Sequence, residues 1–402
     1  MPMAPSPTTC KRAVGTTTSL CALARDGASR SVSNNSSTPS RPDMPLPSKR
    51  DPQQLARVLE PWFAERIGAP CRISDVGIPE GTGMSSETLL FTVHHGNSSE
   101  PVVTRLRPDM TDWPVFPVYD LAAQAGAMRL MARYTDIPVP NVRYVETDES
   151  LLGSPFLVMD RVSGRALPDM PPYVFGGSFL DGFSVDDQRR LTRTVAGLQA
   201  RIHAVDLDRA RREGFDLSFL PASTGDDIGR LLAEQRAYYD WARGDLQLPI
   251  IERALEWLAA HRPKNPGPTV LNWGDARPGN VLFDELTPTA VLDWEMVNHG
   301  PAGVDVGWLI FMHKFFQSLA DVFQMPGFPE FCRADDVIDG YSAAGGREIA
   351  DLDWYVVYGS LRFAAIAIRT SLREVSYGNR EMPADPEDLI MHKAMLYEQT
   401  GA

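Results

Sequence analysis

One short stretch of the chain holds residues whose types and spacing suit phosphoryl transfer. Asp275 is followed five residues later by Asn280, and Asp293 ends the short apolar run Ala290-Val291-Leu292. Moving a phosphoryl group onto a hydroxyl requires a carboxylate to orient the attacking oxygen. It also requires an amide and a second carboxylate to hold Mg²⁺ on the nucleotide phosphates. Asp275 fits the first role, and because the transition state is loose its aim matters more than its basicity. Asn280 and Asp293 fit the second, since they offer the hard oxygens of an octahedral Mg²⁺ that keeps several waters. Asp-x4-Asn is common by itself; apolar flanks and the following Leu292-Asp293-Trp294-Glu295 give it weight. Arg277, in the same loop, could reach a phosphate or an anionic substrate, or equally pair with Asp293 or Glu295. Glu295 reads either as a neighbour of metal or substrate or as half of a plain salt bridge.

These residues need elements to position them. Val281-Leu282-Phe283 and Ala290-Val291-Leu292 read as paired strands that set the separation of Asn280 and Asp293. Upstream, Leu55, Val58, Leu59, Trp62, Phe63 and Ile67 recur at helical spacing. Short strands are expected at 71–76, 88–94, 102–106, 142–146 and 155–161, with a helix over 119–134 ended by Ile137-Pro138-Val139-Pro140. A Pro/Gly-rich link over 167–183 leads into helical territory. There, 186–205 carries Leu191, Val195, Leu198 and Ile202 on one face, with Asp186 or Asp187 placed to cap it. Further helices are expected within 226–261 and over 352–374. No internal repeat stands out.

The loop over 273–295 resembles that of the aminoglycoside phosphotransferase-like, or phosphotransferase enzyme, family. The usual string of that family is His-Gly-Asp, an Asn, and then Leu/Ile-Asp-Trp/Phe-Glu. Trp273-Gly274-Asp275, Asn280 and Leu292-Asp293-Trp294-Glu295 match it, with Trp273 at the His position. The resemblance covers roughly residues 52–380. It implies a bilobal, α+β protein-kinase-like fold with a small antiparallel nucleotide-binding lobe over 51–163 and a helical catalytic lobe over 164–402. It also implies that Asp305 and His203 support the catalytic loop. Glu80-Gly81-Thr82-Gly83-Met84-Ser85-Ser86 is similar to the family's phosphate-covering turn, which assigns Gly83, Ser85 and Ser86 to the nucleotide. Arg105, in Val103-Thr104-Arg105-Leu106-Arg107, stands where kinases place the phosphate-binding Lys, with Asp120 or Gln124 as substitutes for its usual Glu partner. Val158-Met159-Asp160-Arg161-Val162 resembles the hinge whose backbone meets adenine, which assigns Asp160 and Val162 to the base.

The activity so implied is transfer of the γ-phosphate of ATP, or GTP, to a small-molecule hydroxyl with Mg²⁺. Family acceptors include aminoglycosides, macrolides, choline and homoserine, and similar domains fused to acyl-CoA dehydrogenases suggest a hydroxyacyl-CoA. The alternative is a non-catalytic nucleotide-binding or regulatory protein on the same scaffold. Asp240, Trp241, Trp354 and Tyr358 are candidates to line the acceptor site.

The whole chain sets outer bounds. Its 402 residues carry a net charge of −13, and residues 1–50 hold seven Lys/Arg against two Asp/Glu. The remaining body is therefore near −18, which argues against a nucleic-acid partner. An acidic body suits a cationic substrate, although acidity more often serves solubility. Residues 1–50, rich in Ser, Thr, Pro and Arg, are expected to be disordered. The scattered Cys10, Cys21, Cys71 and Cys332 argue for a reducing cytoplasm, and no run approaches a transmembrane span. Nothing in the chain specifies an oligomeric state.

Overall fold

The computed structural model describes residues 50–79, 85–222 and 225–401. The expected disorder of 1–50, Cys10, Cys21 and the phosphate-turn residue Gly83 fall outside these, wholly or, for the first, all but Arg50.

Helix α1 (Pro52–Ile67) starts where Asp51 accepts the Gln53 amide and ends at Gly68 in the left-handed region. It lies on a five-stranded antiparallel sheet of β1 (Cys71–Gly77), β2 (Glu87–His95), β3 (Ser98–Leu106), β4 (Val142–Glu146) and β5 (Phe156–Asp160), in the order β1-β2-β3-β5-β4. Alternation along the strands divides the sheet into two faces. Phe156 and Val158 of β5 join Leu59, Trp62 and Phe63 of α1 in one apolar cluster. Leu157 and Met159 turn the other way, toward α2 (Leu121–Tyr134) and the helical lobe. By the same parity Val102 and Leu106 of β3 face α1, which turns Arg105 toward the space between the lobes.

The second lobe is mostly helical: α3 (Val185–His203), α4 (Leu207–Arg212), α5 (Asp227–Ala242), α6 (Pro249–Ala260), α7 (Gly303–Val322), α8 (Ala334–Ala343), α9 (Leu352–Ser376) and α10 (Lys393–Gln399). The cap of α3 is Ser184, not Asp186 or Asp187. Ser184 accepts the Asp187 amide while Asp187 reaches back to the Ser184 amide, a reciprocal capping box. Helix α7 packs so closely on α9 that a Cβ at Gly307 would stand 2.6 Å from the Tyr355 carbonyl carbon.

Two short antiparallel pairs sit between the helices and the cleft. β6 (Thr269–Asn272) pairs with β9 (Asn298–Pro301), and β7 (Val281–Asp284) pairs with β8 (Thr287–Val291). The second pair is the hairpin expected from the sequence, with Val281 opposite Val291. It is tied to the chain leaving the sheet: Arg165 and Phe283 exchange two backbone hydrogen bonds of 2.9 Å, and the Val291 amide donates to the Pro138 carbonyl at 2.7 Å. The first lobe thus meets the loop-bearing hairpin through backbone, a connection that side-chain changes cannot remove.

Candidate active site

The candidate catalytic loop leaves β6 and re-enters at β7, and its path depends on one glycine. Gly274 has φ +96°, and a Cβ there would lie 2.1 Å from the Met296 carbonyl oxygen, so no other residue fits. Beneath the loop, Asp305 at the start of α7 is fully buried and accepts the Trp273 amide at 2.7 Å and the Gly274 amide at 3.0 Å. It also bonds His203 at 3.0 Å, and His203 in turn meets the Tyr341 hydroxyl. Both residues expected to support the loop lie under it. Trp273 takes the family's His position as a buried strut, its indole N–H donating to the Leu292 carbonyl at 2.8 Å.

Removing Asp305 would strand two backbone donors and a buried imidazole. Asp305→Ala is expected to cost about 3–5 kcal/mol of stability, read as a lower urea midpoint. A loss below about 1 kcal/mol would show that the loop does not rest on this carboxylate.

Asp275 is held on both oxygens. Trp308 donates its indole N–H to Oδ1 at 2.8 Å, Asn280 donates through Nδ2 to Oδ2 at 2.6 Å, and Arg277 Nε bridges both at 2.8 and 3.0 Å. Burial opposes ionisation, but the Arg277 charge and these donors outweigh it and hold the carboxyl below its ordinary pKa. The carboxylate is therefore charged and fixed in direction.

Arg277 departs from the ion-pair alternative of the sequence reading. It pairs with neither Asp293 nor Glu295; its far end grips both oxygens of Asp169, at 2.5 and 2.6 Å, while its Nε holds Asp275. The two carboxylates overcome its partial burial and drive its pKa up. Asp169 lies 108 residues away in the Pro/Gly-rich link, with no signal in the sequence to reveal it. Trp308 lies three positions past Asp305 but carried no role in the sequence reading.

Asp293 stands just past β8 in a left-handed conformation, φ +57°, which Asp tolerates better than most residues. Arg105 crosses the cleft to reach it at 3.1 Å and extends to Glu295 at 3.3 Å and the Ser86 hydroxyl at 3.2 Å. Ser85 and Ser86 also donate to Glu295, at 2.8 and 3.2 Å. Neither expected helix partner serves Arg105: Asp120 caps α2 by accepting the Ala123 amide, and Gln124 is buried with no hydrogen-bond partner for its amide among the described residues. Arg105 finds its acids across the cleft. Asp160 ends β5 with its carboxylate engaged by Arg143 and Asn141, which leaves only backbone at that point to meet a base; Val162, half-buried, follows it.

Among the described residues no three His, Cys, Asp or Glu are grouped to hold a metal. The donor set still suits Mg²⁺. Asn280 donates through its nitrogen, which leaves its carbonyl oxygen uncommitted, and Asp293 keeps one oxygen beyond the Arg105 contact. Two protein oxygens, completed by phosphates and water, are an ordinary Mg²⁺ complement.

Glu295 carries a pH signature. Burial, then the charge of Asp293, raises its pKa above the ordinary 4.5, against the pull of Arg105 and Ser85. The unfolded chain releases this proton near 4.5 while the folded protein keeps it to higher pH, so stability falls as pH rises through that window. Glu295→Gln is expected to flatten the fall. Urea midpoints between about pH 5 and 8 check it, and parallel wild-type and variant curves would refute it.

Other candidates separate. Trp354 and Tyr358 are core residues stacked at 5.6 Å, and Asp240 is exposed beside Arg243. Trp241 faces Arg369, whose guanidinium lies 4.3 Å from its ring.

The model of the phosphotransferase enzyme family matches residues 91–344, more than half of the chain. The chain belongs to that family. Its fold is the bilobal, protein-kinase-like α+β fold of the phosphotransferases. A candidate aminoglycoside phosphotransferase of Ralstonia eutropha JMP134 superposes with a TM-score of 0.60 at 22% identity, over 86% of this chain and 96% of that one. Aminoglycoside phosphotransferase APH(4)-Ia, in ternary complex with ADP and hygromycin B, gives 0.52 at 15% identity over 86% and 99%. Among curated sequences, acyl-CoA dehydrogenase family member 10 of Mus musculus is 26% identical over 57% of this phosphotransferase-family chain. Family member 11 of Gallus gallus is 25% identical over 57%. The matched segments make up 21% and 29% of those two relatives, so most of their length has no counterpart here. No helix among the described residues is long and apolar enough to cross a membrane.

Proposed function

We propose that this phosphotransferase-family chain moves the γ-phosphate of ATP or GTP to the hydroxyl of a small molecule. The observation that carries this reading is Asp275: partly buried, charged, and fixed by Arg277, Asn280 and Trp308 in the loop that leads to Asp293. A scaffold kept only to bind nucleotide has no use for so constrained a carboxylate. In this reading Asp275 aims the acceptor oxygen and takes its proton late in transfer. Asn280 and Asp293 would hold Mg²⁺, which when bound draws charge from the phosphates. Arg105, released from Asp293 and Glu295, would turn to the phosphates, with Ser85, Ser86 and Gly83 covering them. The backbone around Asp160 and Val162 would meet the base.

The test is Mg²⁺-dependent release of ADP or GDP against amino-alcohols, aminoglycosides, macrolides, sugars, hydroxy acids and hydroxyacyl-CoAs. Stimulation by one class supports the reading. No stimulation, together with no nucleotide binding by calorimetry, would overturn it.

A further inference from the structure

Among the described residues one Lys or Arg side chain is buried, and it has no carboxylate. Arg362, on α9, is 8% exposed. It donates to the Gly274 carbonyl at 3.0 Å and its guanidinium lies 4.9 Å from the centre of the Trp308 ring, but no ion pair reaches it. Burying a cation without a counter-ion is costly, and one carbonyl with one ring face compensates only part of that cost. The position is informative. Trp308 is the residue whose indole N–H holds Asp275, and Gly274 precedes Asp275 in the chain. Arg362 and the carboxylate that would aim the acceptor therefore share one indole.

Two turns further along the same face of α9 a second guanidinium repeats the pattern. Arg369 is sandwiched 4.3 Å from Trp241 and 4.6 Å from Trp113, donates to the Pro114 carbonyl at 2.7 Å, and has no carboxylate partner among the described residues. The acids around this face are committed elsewhere. Glu234 on α5 is bound by Arg230 at 2.6 Å and Asn298 at 3.0 Å, and Glu295 by Arg105, Ser85 and Ser86. Three phenols also face it: Tyr238, whose hydroxyl donates to the Val115 carbonyl, Tyr119, whose hydroxyl accepts the Val115 amide, and Tyr358, whose hydroxyl accepts from Gln235; Arg373 adds a further cation near Arg369.

We propose that the acceptor is an anion, a hydroxyl compound whose carboxylate or phosphate is bound by Arg362 with Arg369 as the second cation. The proposal rests on the phosphotransferase reading of Asp275 and makes that site more specific. It sets aside the cationic substrate that the acidic body of the chain suggests. Nucleotide phosphate is the less suitable counter-ion, because its cation, Arg105, enters from the sheet and meets Asp293, whereas Arg362 reaches the loop from α9 through Gly274.

The experiment uses the full chain saturated with Mg²⁺-ADP, so that the nucleotide site is filled. Calorimetric titrations follow with glycerol 3-phosphate and 3-hydroxybutyrate and with their neutral counterparts, glycerol and 3-hydroxybutyramide. At least one anion is expected to bind saturably and at least tenfold more tightly than its neutral counterpart. Arg362→Gln is expected to lose that margin, and Arg362→Lys to keep most of it, with ADP affinity unchanged in both. Preference for the phosphate would point to a phosphorylated acceptor, and preference for the carboxylate to a hydroxy acid. Should Arg362→Gln not fold, Arg369→Gln serves in its place, with a drop of threefold or more expected. No anion preference in the wild type, or an undiminished preference in the folded variant, would overturn the proposal. Failure of the wild type to bind Mg²⁺-ADP would instead overturn the phosphotransferase reading beneath it.

Discussion

Asp275→Asn is expected to lower phosphoryl transfer by about 10²- to 10⁴-fold, the range supplied by a positioned acid or base, while nucleotide affinity stays within a few-fold. The substitution keeps shape and removes charge. Trp308 could still donate to the remaining oxygen, but an amide nitrogen would face the donors of Arg277 and Asn280 where an oxygen now accepts them. The loop loses one anchor and keeps the others: Arg277 retains Asp169, and Asp305 still holds the Trp273 and Gly274 amides. Folding should survive, because the variant leaves no cavity. Single-turnover transfer beside ADP calorimetry separates the effects. Equal losses of binding and transfer would mean that Asp275 builds the nucleotide site and does not aim the acceptor.

Asp293→Asn should fail differently. If Asp293 holds Mg²⁺ with Asn280, removing its charge should weaken Mg²⁺-nucleotide binding by at least about 10- to 100-fold, a loss seen even when outer-shell partners of metal sites are changed. The control is built into the chemistry. In EDTA the wild type and variant should bind ADP alike, since the carboxylate then acts on the nucleotide only through Arg105. Freed of this partner, Arg105 would keep Glu295 and the Ser86 hydroxyl, and ADP binding without metal should change little. A tenfold deficit that persists without Mg²⁺ would show that Asp293 orders the cleft and does not bind metal.

The candidate catalytic loop was legible in the sequence because its residues are close together in the chain. Asp275, Asn280 and Asp293 lie within nineteen positions, and the β7–β8 hairpin that spaces them has apolar strands on both sides of a polar turn. The five strands and α2 were legible for the same reason, as short local runs, with α2 between the third and fourth strands and ended before Pro138 and Pro140. What could not be read depends on long-range encounters. Arg277 meets Asp169 and Arg105 meets Asp293 and Glu295 across 108, 188 and 190 residues. A sequence shows that such cations need partners, but not where the fold supplies them. Helix α7 escaped notice because apolar residues surround it: Val304, Val306, Leu309, Ile310, Phe311 and Phe315 are all buried, so no polar face marks its period. Arg362 lay in a helix that the sequence did indicate. Its burial without a carboxylate is visible only once α9 packs against α7 and the catalytic loop.

The most direct test of the central claim is ³¹P NMR of the full chain with Mg²⁺-ATP and the acceptor panel. The account predicts a new phosphomonoester resonance that grows as the γ-phosphate signal decays, and that is absent with EDTA and with Asp275→Asn. Decay of ATP to inorganic phosphate alone, or a phosphomonoester formed equally well by Asp275→Asn, would contradict it.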